Sequence, residues 1–494
     1  MNEASTAAIV LAAGLGTRMK SALPKVLHGI AGRPMVGYLL DRLREAQVGR
    51  IVVVVGPEMQ AVAAAVAPAE TAVQSERLGT AHAVAAAREA LAGHGGPVLI
   101  AFGDTPLIKA ETLAAMRAAL DGPDAPAVVV LGFRPADTGE YGRLVVADGG
   151  LQAIVEHRDA TPAQRAIPLC NAGLMAVSGR YLFDLVGAVG NDNAKREYYL
   201  TDIVALARAR GLGCAVVEAA DADEVMGINS RAELALAERI MQQRLRTAAM
   251  AGGATLADPE TVYFSYDTTL GSDVTVGPQV VFGRGVRIGD NVEIRAFCHI
   301  EGATVDSNAI VGPFARLRPG AHIGREAHIG NFVEIKEASI ETGAKVNHLT
   351  YVGDARVGAG ANIGAGTITC NYDGFAKHRT DIGAGAFIGS NTALVAPVTV
   401  GDGAVVGAGS TIARDVPADA LAVTRAEHVE VPAWAVKNRA RKKAAKNNPL
   451  RPASGGEGGA RSAPGEVGVA AGTASPTSPR PSPPPRAERG TGGR

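Results

Sequence analysis

Aliphatic residues recur at every sixth position through most of the second half of the chain, in four runs separated by slips of register. Neither an α-helix, with a period of about 3.6 residues, nor a β-strand, with a period of about two, places one apolar side chain at this interval. A parallel β-helix does, because each flat face of its triangular coil takes about six residues. The pattern therefore predicts a left-handed parallel β-helix. Its predicted inward positions are Ile288, Ile294, Ile300, Val311, Leu317, Ile323, Ile329, Ile335, Val357, Ile363, Ile382, Ile388, Leu394, Val400, Val406 and Ile412.

The first half of the chain shows a different pattern, in which short apolar runs alternate with amphipathic stretches of helical period. We expect strands at Ala8–Ala12, Ile51–Val55 and Val98–Phe102. We expect helices at Tyr38–Ala46 and Thr80–Leu91. Strands that alternate with helices are typical of a mostly parallel sheet covered by helices. The first half is therefore predicted to be an α/β domain with a Rossmann-like sheet.

The changes of pattern predict several domains, since a chain of 494 residues is too long for a single hydrophobic core. They place the α/β domain over residues 1–230, a helical linker over 231–251 and the β-helix over 252–430. A basic segment over 431–446 is expected to be a solvated helix end. Residues 447–494 are rich in Pro, Gly, Ser and Arg and bury too little apolar surface to offset the conformational entropy of folding. This tail is predicted to be disordered.

Composition narrows the classes of function. The formal net charge is +0 and aromatic residues make up 4% of the chain, which argues against nucleic acid as a partner. No apolar run approaches the length of a membrane span, and the N-terminus lacks a signal-peptide pattern, so we expect no membrane insertion. The four cysteines are widely spaced and match no zinc motif. We therefore expect a soluble, cytoplasmic protein.

A glycine-rich turn, AGLGTRM, follows the first predicted strand. Such a turn allows backbone N–H groups to approach phosphate oxygens closely. Arg18 in this turn and Lys25 in the following LPKVL supply two cations that suit a triphosphate. Further along, Asp104 comes directly after the strand Val98–Phe102, where a carboxylate can hold a metal, and Asn229 offers an amide oxygen. A lone Asp at this place would serve equally well as a helix N-cap. With Asn229 as its partner, as the family resemblance described next implies, the pair suffices as a predicted magnesium site, because Mg²⁺ takes few protein ligands.

The string LAAGLGTRM followed by LPKVL resembles the signature of the sugar-nucleotide pyrophosphorylases, which join a nucleoside triphosphate to a sugar 1-phosphate. Gln74 and the LGT turn at residues 78–80 resemble the uracil-reading segment of the uridylyltransferases. The resemblance implies in-line attack of the sugar phosphate on the α-phosphorus of UTP, catalysed by positioning and charge neutralisation. The residues that it implies for binding UTP or the UDP-sugar are Leu11, Ala12, Ala13, Gly14, Arg18, Lys25, Gln74, Gly79, Thr80, Gly142, Glu156, Asn171 and Asn229.

Several residues in the predicted β-helix depart from its aliphatic and glycine pattern. Arg318 and Lys336 stand at or near coil positions where short or polar residues would serve, and His348 and Tyr351 stand in the string NHLTY. The segment TCNYDG, residues 369–374, falls between two aliphatic registers and is predicted to leave the coil as a loop. Loops on rigid scaffolds commonly carry function. A β-helix that served only as a scaffold would not need these residues.

These residues resemble the acetyltransferase domain of the bifunctional N-acetylglucosamine-1-phosphate uridylyltransferase / glucosamine-1-phosphate acetyltransferase family, and the match runs from about Ala7 to Arg425. The resemblance implies that His348 is the general base that takes a proton from the sugar's 2-amino group, a task that suits an imidazole. It also implies a homotrimer with the acetyl site between neighbouring subunits. The implied contacts are Arg318, Lys336, Tyr351 and Asn362 for the sugar phosphate, and Ala365, Asn371, Tyr372, Ser390, Ala408 and Arg425 for acetyl-CoA.

Three functions compete on these observations. The first is the bifunctional enzyme, which acetylates glucosamine 1-phosphate and then transfers a uridylyl group to give UDP-N-acetylglucosamine. The second is a single-function sugar-nucleotide pyrophosphorylase whose β-helix is structural or regulatory, and it would not need His348. The third is a catalytically silent scaffold, in which Lys25, Asp104 or Asn229 would be expected to have changed. The sequence favours the bifunctional enzyme.

Overall fold

The computed structural model describes residues 5–122, 125–147, 149–193 and 196–447. The chain up to Ala426 forms one compact unit, and the chain from Glu427 onward forms a second. The tail predicted to be disordered lies, except for Asn447, outside the described residues. No helix among the described residues is long and apolar enough to cross a membrane.

The first half of the compact unit contains strands and helices in alternation, as the sequence predicts. The strands are β1 Ala7–Leu11, β2 Gly29–Ile30, β3 Arg33–Pro34, β4 Arg50–Val55, β5 Glu70–Val73, β6 Pro97–Phe102, β7 Val128–Phe133, β8 Arg143–Ala147, β9 Gly150–Val155, β10 Cys170–Ser178 and β11 Cys214–Glu218. The α-helices are α1 Met35–Glu45, α2 Gln60–Val66, α3 Thr80–Ala85, α4 Ala110–Ala118, α5 Pro162–Arg165, α6 Gly179–Val186 and α7 Asp202–Ala209. Short 3₁₀ turns lie at Thr17–Met19, Lys25–Leu27 and Ala222–Val225.

A nine-stranded, mostly parallel sheet organises this half. Seven of its strands follow the order β11-β7-β10-β6-β1-β4-β5, and the other two, β8 and β9, pair with each other and are joined to the sheet where β8 pairs with β10. Strands β4 and β6 lie on either side of β1 and run parallel to it. Strand β10 is antiparallel to both of its neighbours. The central strands are apolar along almost their whole length because helices cover both faces of the sheet. The parallel arrangement brings the carboxyl ends of β1 and β6 to one edge.

The predicted helix over Thr80–Leu91 is wrong in extent, because α3 ends at Ala85. Beyond that point the backbone bonds change to a tighter pattern, in which Ala87 N donates to Val84 O at 3.0 Å and Arg88 N to Ala85 O at 3.1 Å. Such bonds belong to turns closer to 3₁₀ geometry than to the α-helix.

Helix α8, Arg231–Ala251, covers the stretch that shows helical periodicity between the two halves. Its start is fixed by a capping box, in which Glu233 N donates to Ser230 Oγ at 3.2 Å and Ser230 N to Glu233 Oε2 at 2.7 Å. Near its end, the buried Arg246 donates to the backbone carbonyls of Val262 and Glu260. Helix α8 is thereby attached to the start of the β-helix, while the domain boundaries themselves stay a prediction.

The second half of the unit is a parallel β-helix, with a 3₁₀ turn at Pro259–Thr261 between its first two strands. Its strands are β12 Thr255–Leu256, β13 Thr269–Leu270, β14 Thr275–Val276, β15 Val281–Phe282, β16 Arg287–Ile288, β17 Glu293–Ile294, β18 His299–Ile300, β19 Thr304–Val305, β20 Ile310–Val311, β21 Arg316–Leu317, β22 Ala321–Ile323, β23 His328–Asn331, β24 Glu334–Ile340, β25 Lys345–His348, β26 Tyr351–Val357, β27 Asn362–Ile363, β28 Ile368–Cys370, β29 Thr380–Ile382, β30 Phe387–Ile388, β31 Ala393–Val395, β32 Val398–Val400, β33 Val405–Val406, β34 Thr411–Ile412 and β35 Leu421–Ala422.

The predicted aliphatic register forms the core of this β-helix. Every predicted inward position is buried, with at most 4% of its surface exposed. Strands of successive coils pair in parallel, so that Ile294 lies beside Val311 and Val311 beside Ile329. Identical positions therefore stack into columns, which confirms the left-handed β-helix predicted from the six-residue period.

One coil is longer than the others. Asn362 pairs with Phe387, 25 residues later, whereas Lys345 pairs with Asn362 at a spacing of 17 and Phe387 with Val405 at a spacing of 18. The additional residues form the loop that follows β28, as the sequence predicts. The remaining described element, helix α9 Trp434–Asn447, belongs to the second unit.

Two candidate active sites

The glycine-rich turn follows β1 at the edge where parallel strands end. Gly103 N, at the end of β6, donates to Leu11 O at 3.0 Å, so the ends of β1 and β6 lie side by side. Gly16 has φ of 63°, and a Cβ at this position would meet the side chain of Lys25. A glycine is therefore required for Lys25 to pack against the turn.

A cavity of about 310 Å³ opens beside this turn. Nine of the residues predicted for the nucleotide site line it, and they are Leu11, Ala12, Ala13, Gly14, Lys25, Gln74, Gly79, Thr80 and Asp104. Gln74 is almost wholly buried, and its Nε2 donates to Gly79 O at 3.1 Å, which joins the two predicted uracil-reading segments. The structure thus brings together residues that lie far apart in the sequence.

Lys25, Asp104 and Asn229 converge at one point. The Lys25 ammonium forms an ion pair with the Asp104 carboxylate and donates to Asn229 Oδ1 at 3.0 Å. The side chains of Lys25 and Asp104 are each only 14% exposed. Ile228 N donates to Asp104 O at 3.0 Å, so the segment that carries Asn229 is fixed to the end of β6. The two oxygens that the sequence predicts as metal ligands therefore point at a single cation position.

The oxygens of this pair also suit a magnesium ion. Among the residues that the structure describes, no three His, Cys, Asp or Glu side chains are grouped so that they could hold a metal. One carboxylate and one amide oxygen around a shared cation position match the habit of Mg²⁺, which keeps waters and phosphate oxygens for its other ligands.

Arg18 lies apart from the cavity wall. It belongs to the 3₁₀ turn Thr17–Met19, is exposed, and contributes electrostatically to lowering the pKa of Glu233. Burial alone would raise the pKa of Glu233, but hydrogen bonds from Asn229 N and Ser230 reverse the direction. Arg18 therefore lies near the segment that carries Asn229 while facing solvent.

Three of the residues predicted to bind UTP or the UDP-sugar, Gly142, Glu156 and Asn171, form a second group. Asn171 N donates to Gly142 O at 2.8 Å, and a Cβ at Gly142 would lie 3.6 Å from Glu156 Oε1. Glu156 lines a neighbouring cavity of about 600 Å³. Tyr199 lines both this cavity and the one beside the glycine-rich turn. The two cavities therefore adjoin, as a site for two substrates requires.

Six residues of the nucleotide cavity were not predicted as site residues, and the three polar ones among them are Arg77, Glu197 and Tyr199. Arg77 Nε donates to Ala13 O at 2.8 Å, so it supports the glycine-rich turn from the next segment. Its place directly before the LGT turn is a signal that sequence analysis could have used. No comparable sequence signal indicates Glu197 or Tyr199.

On the β-helix, His348 ends β25 and is exposed. Its Nδ1 contacts Asn331 Oδ1 at 2.7 Å across one coil. Its backbone carbonyl accepts from the buried Thr350 hydroxyl at 2.7 Å and from Gly366 N at 3.2 Å. The imidazole is therefore carried by a well-bonded backbone, and its Nε2 makes no hydrogen bond to any residue that the structure describes.

Polar side chains gather beside His348 on the next face. Asn371 Nδ2 donates to Asp354 and lies 3.4 Å from Tyr351 OH. Lys336 lies 3.9 Å from Asp354 Oδ2. Contact with the Lys377 side chain lowers the pKa of Lys336, and desolvation acts in the same direction. Two amino groups held this close form a position that favours an anion.

Arg318 directly follows β21, on the coil before the one that carries Lys336. Its Nη1 donates to Glu334 Oε1 at 2.8 Å, and Glu334 pairs with Tyr351 on the following coil. Lys336 belongs to the same strand as Glu334. The predicted sugar-phosphate residues Arg318, Lys336 and Tyr351 therefore share one surface. Asn362 pairs with Lys345 and Phe387 on another face.

The predicted acetyl-CoA residues follow one corner of the β-helix. Asn391 N donates to Ala365 O at 2.7 Å, and Gly409 N donates to Ser390 O at 2.8 Å, so these turns stack coil upon coil. The Arg425 guanidinium lies 3.6 Å from the position that a Cβ on Gly407 would take, next to Ala408. Ala365, Ser390, Ala408 and Arg425 thus form a continuous line.

The long coil projects a loop with its own hydrogen bonds. Asp373 Oδ1 accepts from Ala376 N at 2.7 Å and from Phe375 N at 2.8 Å, and His378 Nε2 contacts Asp373 Oδ2 at 2.7 Å. These contacts hold the pKa of Asp373 well below its usual range. Tyr372 OH donates to Gly374 O at 2.6 Å. Phe375 at the tip is 97% exposed.

Asn331, Asp354 and Lys377 are the β-helix residues that sequence analysis missed. The coil length is the signal that could have found the first two of them, because residues 17 or 18 positions apart lie side by side on adjacent coils, and Asp354 stands 17 positions before Asn371. Asn331 stands 17 positions before His348. Applied to each predicted site residue, this spacing identifies its neighbour without a structure.

Models of known protein families match both halves of the compact unit. Residues 8–169 match the model of the MobA-like NTP transferase domain. Residues 267–302 and 379–414 match the model of the bacterial transferase hexapeptide of six repeats. The two matches fall on the sheet with the nucleotide cavity and on the β-helix.

Relatives cover nearly the whole described chain. The chain is 62% identical over 446 residues to the bifunctional protein GlmU of Paramagnetospirillum magneticum, and the alignment covers 90% of this chain and 99% of that protein. It is 67% identical over 435 residues to the bifunctional protein GlmU of Rhodospirillum rubrum, covering 88% and 97%. It is 58% identical over 444 residues to that of Xanthobacter autotrophicus, covering 89% and 98%. The chain belongs to the family of bifunctional GlmU proteins, which are uridylyltransferases and glucosamine-1-phosphate acetyltransferases.

Proposed function

We propose that the cavity beside the glycine-rich turn transfers a uridylyl group from UTP to N-acetylglucosamine 1-phosphate, and that the β-helix around His348 acetylates glucosamine 1-phosphate with acetyl-CoA. Together the two reactions give UDP-N-acetylglucosamine and pyrophosphate for cell-envelope precursors. The observation that carries the first assignment is the convergence of Lys25, Asp104 and Asn229 beside the cavity. The second rests on the His348 imidazole beside the cluster of Lys336 and Tyr351.

In uridylyl transfer, the chain's residues hold the reactants in line. Backbone N–H groups of the glycine-rich turn and the Lys25 ammonium bind the triphosphate, and Glu156 and Asn171 orient the sugar in the adjoining cavity. Asp104 and Asn229 would hold Mg²⁺, which neutralises phosphate charge when bound. The oxygen of the sugar phosphate forms the new bond to the α-phosphorus, and pyrophosphate leaves with the electron pair of the broken bond.

In acetyl transfer, His348 accepts a proton from the 2-amino group of the sugar. The amine attacks the thioester carbonyl, the C–S bond breaks, and coenzyme A leaves as the thiol after it receives a proton. Arg318 and the neighbouring Lys336 and Lys377 hold the phosphate of the sugar. The line of Ala365, Ser390, Ala408 and Arg425 gives acetyl-CoA a corner along which to lie.

We further propose that the chain acts as a homotrimer. Supporting this, Phe297, Phe314 and Phe332 stack on successive coils with ring centroids 4.7 and 5.2 Å apart. All three rings remain 44 to 55% exposed, and Leu349, next to His348, continues the stripe. An exposed apolar stripe of this kind is typical of a protein contact. Light scattering of the full chain should give a mass about three times that of one chain.

Two pairs of variants test the assignment of the two reactions. K25A should abolish pyrophosphate release from UTP and spare coenzyme A release, because Lys25 lies in the nucleotide site alone. H348A should do the reverse. K20A and H322A serve as matched controls, since Lys20 is exposed beside the same turn and His322 is exposed on the β-helix. Loss of both activities in either folded site variant would contradict two independent sites.

A further inference from the structure

We propose that Asn331 is a positioning residue for His348, whose amide oxygen holds the imidazole with the proton on Nδ1 and leaves Nε2 free to accept a proton from the substrate amine. The inference rests on the proposed role of His348 as general base. It adds a residue that neither the sequence motifs nor the resemblance indicated.

The contact follows from the pairing of two coils. Asn331 is the last residue of β23 and His348 the last residue of β25, and the two are parallel partners. His348 Nδ1 and Asn331 Oδ1 are 2.7 Å apart. A carbonyl oxygen can only accept, so the neutral imidazole must donate through Nδ1. The lone pair of a neutral imidazole then resides on Nε2, as a general base requires.

The backbone holds both partners in place. A Cβ at Gly330 would collide with the backbone of Asn347, so the two coils approach here more closely than any other residue would allow. Leu349 N donates to Asn331 O at 3.0 Å, which ties the backbones together directly beyond the contact. The buried hydroxyl of Thr350 donates to His348 O at 2.7 Å. The amide and the imidazole are thus aligned by the coil geometry before any substrate binds.

The charged groups near His348 explain why an uncharged partner suits this imidazole. His328 stands at the start of β23. Burial is the main cause that lowers the pKa of His328, the positive charge of Arg295 is the next, and His348 contributes in the same direction. Lys345 starts β25, the following strand Asn362–Ile363 carries no charge, and none of these three strands carries an acidic residue. The group that contacts Nδ1 is therefore an amide, and the carboxylates of the adjoining face, Glu334 and Asp354, pair instead with Arg318 and with Asn371 and Lys336.

Replacement of Asn331 by Leu and by Asp separates orientation from charge. N331L removes the acceptor and should lower kcat for acetyl transfer roughly tenfold to hundredfold, with little change in KM for acetyl-CoA. N331D keeps an acceptor and adds a negative charge, so it should retain activity at high pH. The acid limb of its kcat profile should move up by about one pH unit or more.

N308D is the matched control for added charge. Asn308 lies at a turn of an earlier coil with φ of 62°, a conformation that Asp tolerates, and its N donates to Asp290 O at 3.0 Å. This variant should leave the acid limb where it is. Uridylyl transfer, which uses the other half of the chain, should be unchanged in all three variants, and circular dichroism of each variant reports whether its β-helix folds.

The outcomes separate this inference from the proposed function. Wild-type kcat in N331L, or an unmoved acid limb in N331D, would overturn the positioning role. If N331L fails to fold, the pH profile of N331D alone decides. If H348A itself retains acetyl transfer, the proposed base is wrong. If H348A is inactive while both Asn331 variants behave as wild type, the general base is correct and only the positioning role of Asn331 is wrong.

Discussion

Arg77 shows how a side chain outside the predicted motifs supports the nucleotide site. Its Nε donates to Ala13 O at 2.8 Å, and its guanidinium packs over Gly56, where a Cβ would collide with it. The bond orients the peptide at Ala13 and so helps to direct the N–H groups of the turn toward the cavity. The position of the turn therefore depends on a residue that its own sequence does not contain.

We expect R77A to raise KM for UTP about tenfold, the effect of losing one hydrogen bond to an oriented loop. Acetyl transfer should be unchanged because it uses the β-helix. The control is R88A, which removes an arginine that donates to a carbonyl, Phe183 O at 2.7 Å, outside the cavity lining. Steady-state kinetics of both half-reactions decides the matter, and an unchanged KM for UTP in R77A would rule out the supporting role.

At the residue scale, a sequence motif predicts a cavity residue when the motif itself forms part of the cavity wall. Ala13, Gly14 and Lys25 line the cavity because one strand and the turn after it determine their places. Glu197 and Tyr199 reach the same cavity from a distant loop, and no local period reports that path. Contacts between segments of irregular structure depend on the complete fold, which one sequence does not display.

At the scale of elements, helix α8 is joined to the β-helix by buried polar contacts. Gln242 exchanges two hydrogen bonds with the backbone of Phe264, at 2.7 and 2.8 Å. Arg246 is 3% exposed and donates to Val262 O at 2.9 Å and to Glu260 O at 3.1 Å. Its guanidinium also lies 5.5 Å from the centre of the Tyr263 ring. These contacts satisfy backbone carbonyls where no strand pairs with them.

R246M should therefore destabilise this junction. The change keeps most of the side-chain volume but leaves the Val262 and Glu260 carbonyls without their donor, at a cost of about 3 kcal/mol. We expect the melting temperature to fall by roughly 5 °C or more, measured by calorimetry. R295M is the control, because Arg295 pairs with Glu293 on the surface and contributes little. Equal melting temperatures for the two variants would show that the buried contacts are dispensable.

The elements that the sequence predicts best are those with a long, uniform period. The six-residue register identifies the β-helix because its members are buried at equivalent positions on successive faces of the coil. The direction of β10, which is antiparallel, and the early end of α3 at Ala85 were not predictable in this way. An apolar run has the same pattern in either strand direction, and an alanine-rich stretch leaves the last turns of a helix weakly specified.

At the scale of the molecule, the two sites differ in their need for a metal. The cation position between Asp104 and Asn229 belongs to the nucleotide half, and the described residues contain no grouped set of three metal-binding side chains on the β-helix. Each reaction should therefore respond separately to removal of divalent ions.

Chelation by EDTA should stop pyrophosphate release from UTP while coenzyme A release continues. Added Mg²⁺ should restore the first activity, and circular dichroism before and after chelation serves as the control for folding. Loss of acetyl transfer in a protein that remains folded would show that the metal assignment is incomplete. D104N should weaken the dependence of uridylyl transfer on Mg²⁺ because a neutral ligand replaces the only carboxylate of the pair.

The stacked coils also fix distances along the β-helix, because each coil adds the same length. Neighbouring strands in a sheet are about 4.8 Å apart, whatever side chains they carry. From the strand of His348 to β35, just before Arg425, the path through β27, β30 and β33 has four such steps, or roughly 19 Å. Excision of one complete coil between them would preserve every local contact within the remaining coils. It would nevertheless shorten the distance between His348 and Arg425 by about 4.8 Å, so the number of coils sets the length of the surface proposed for acetyl-CoA.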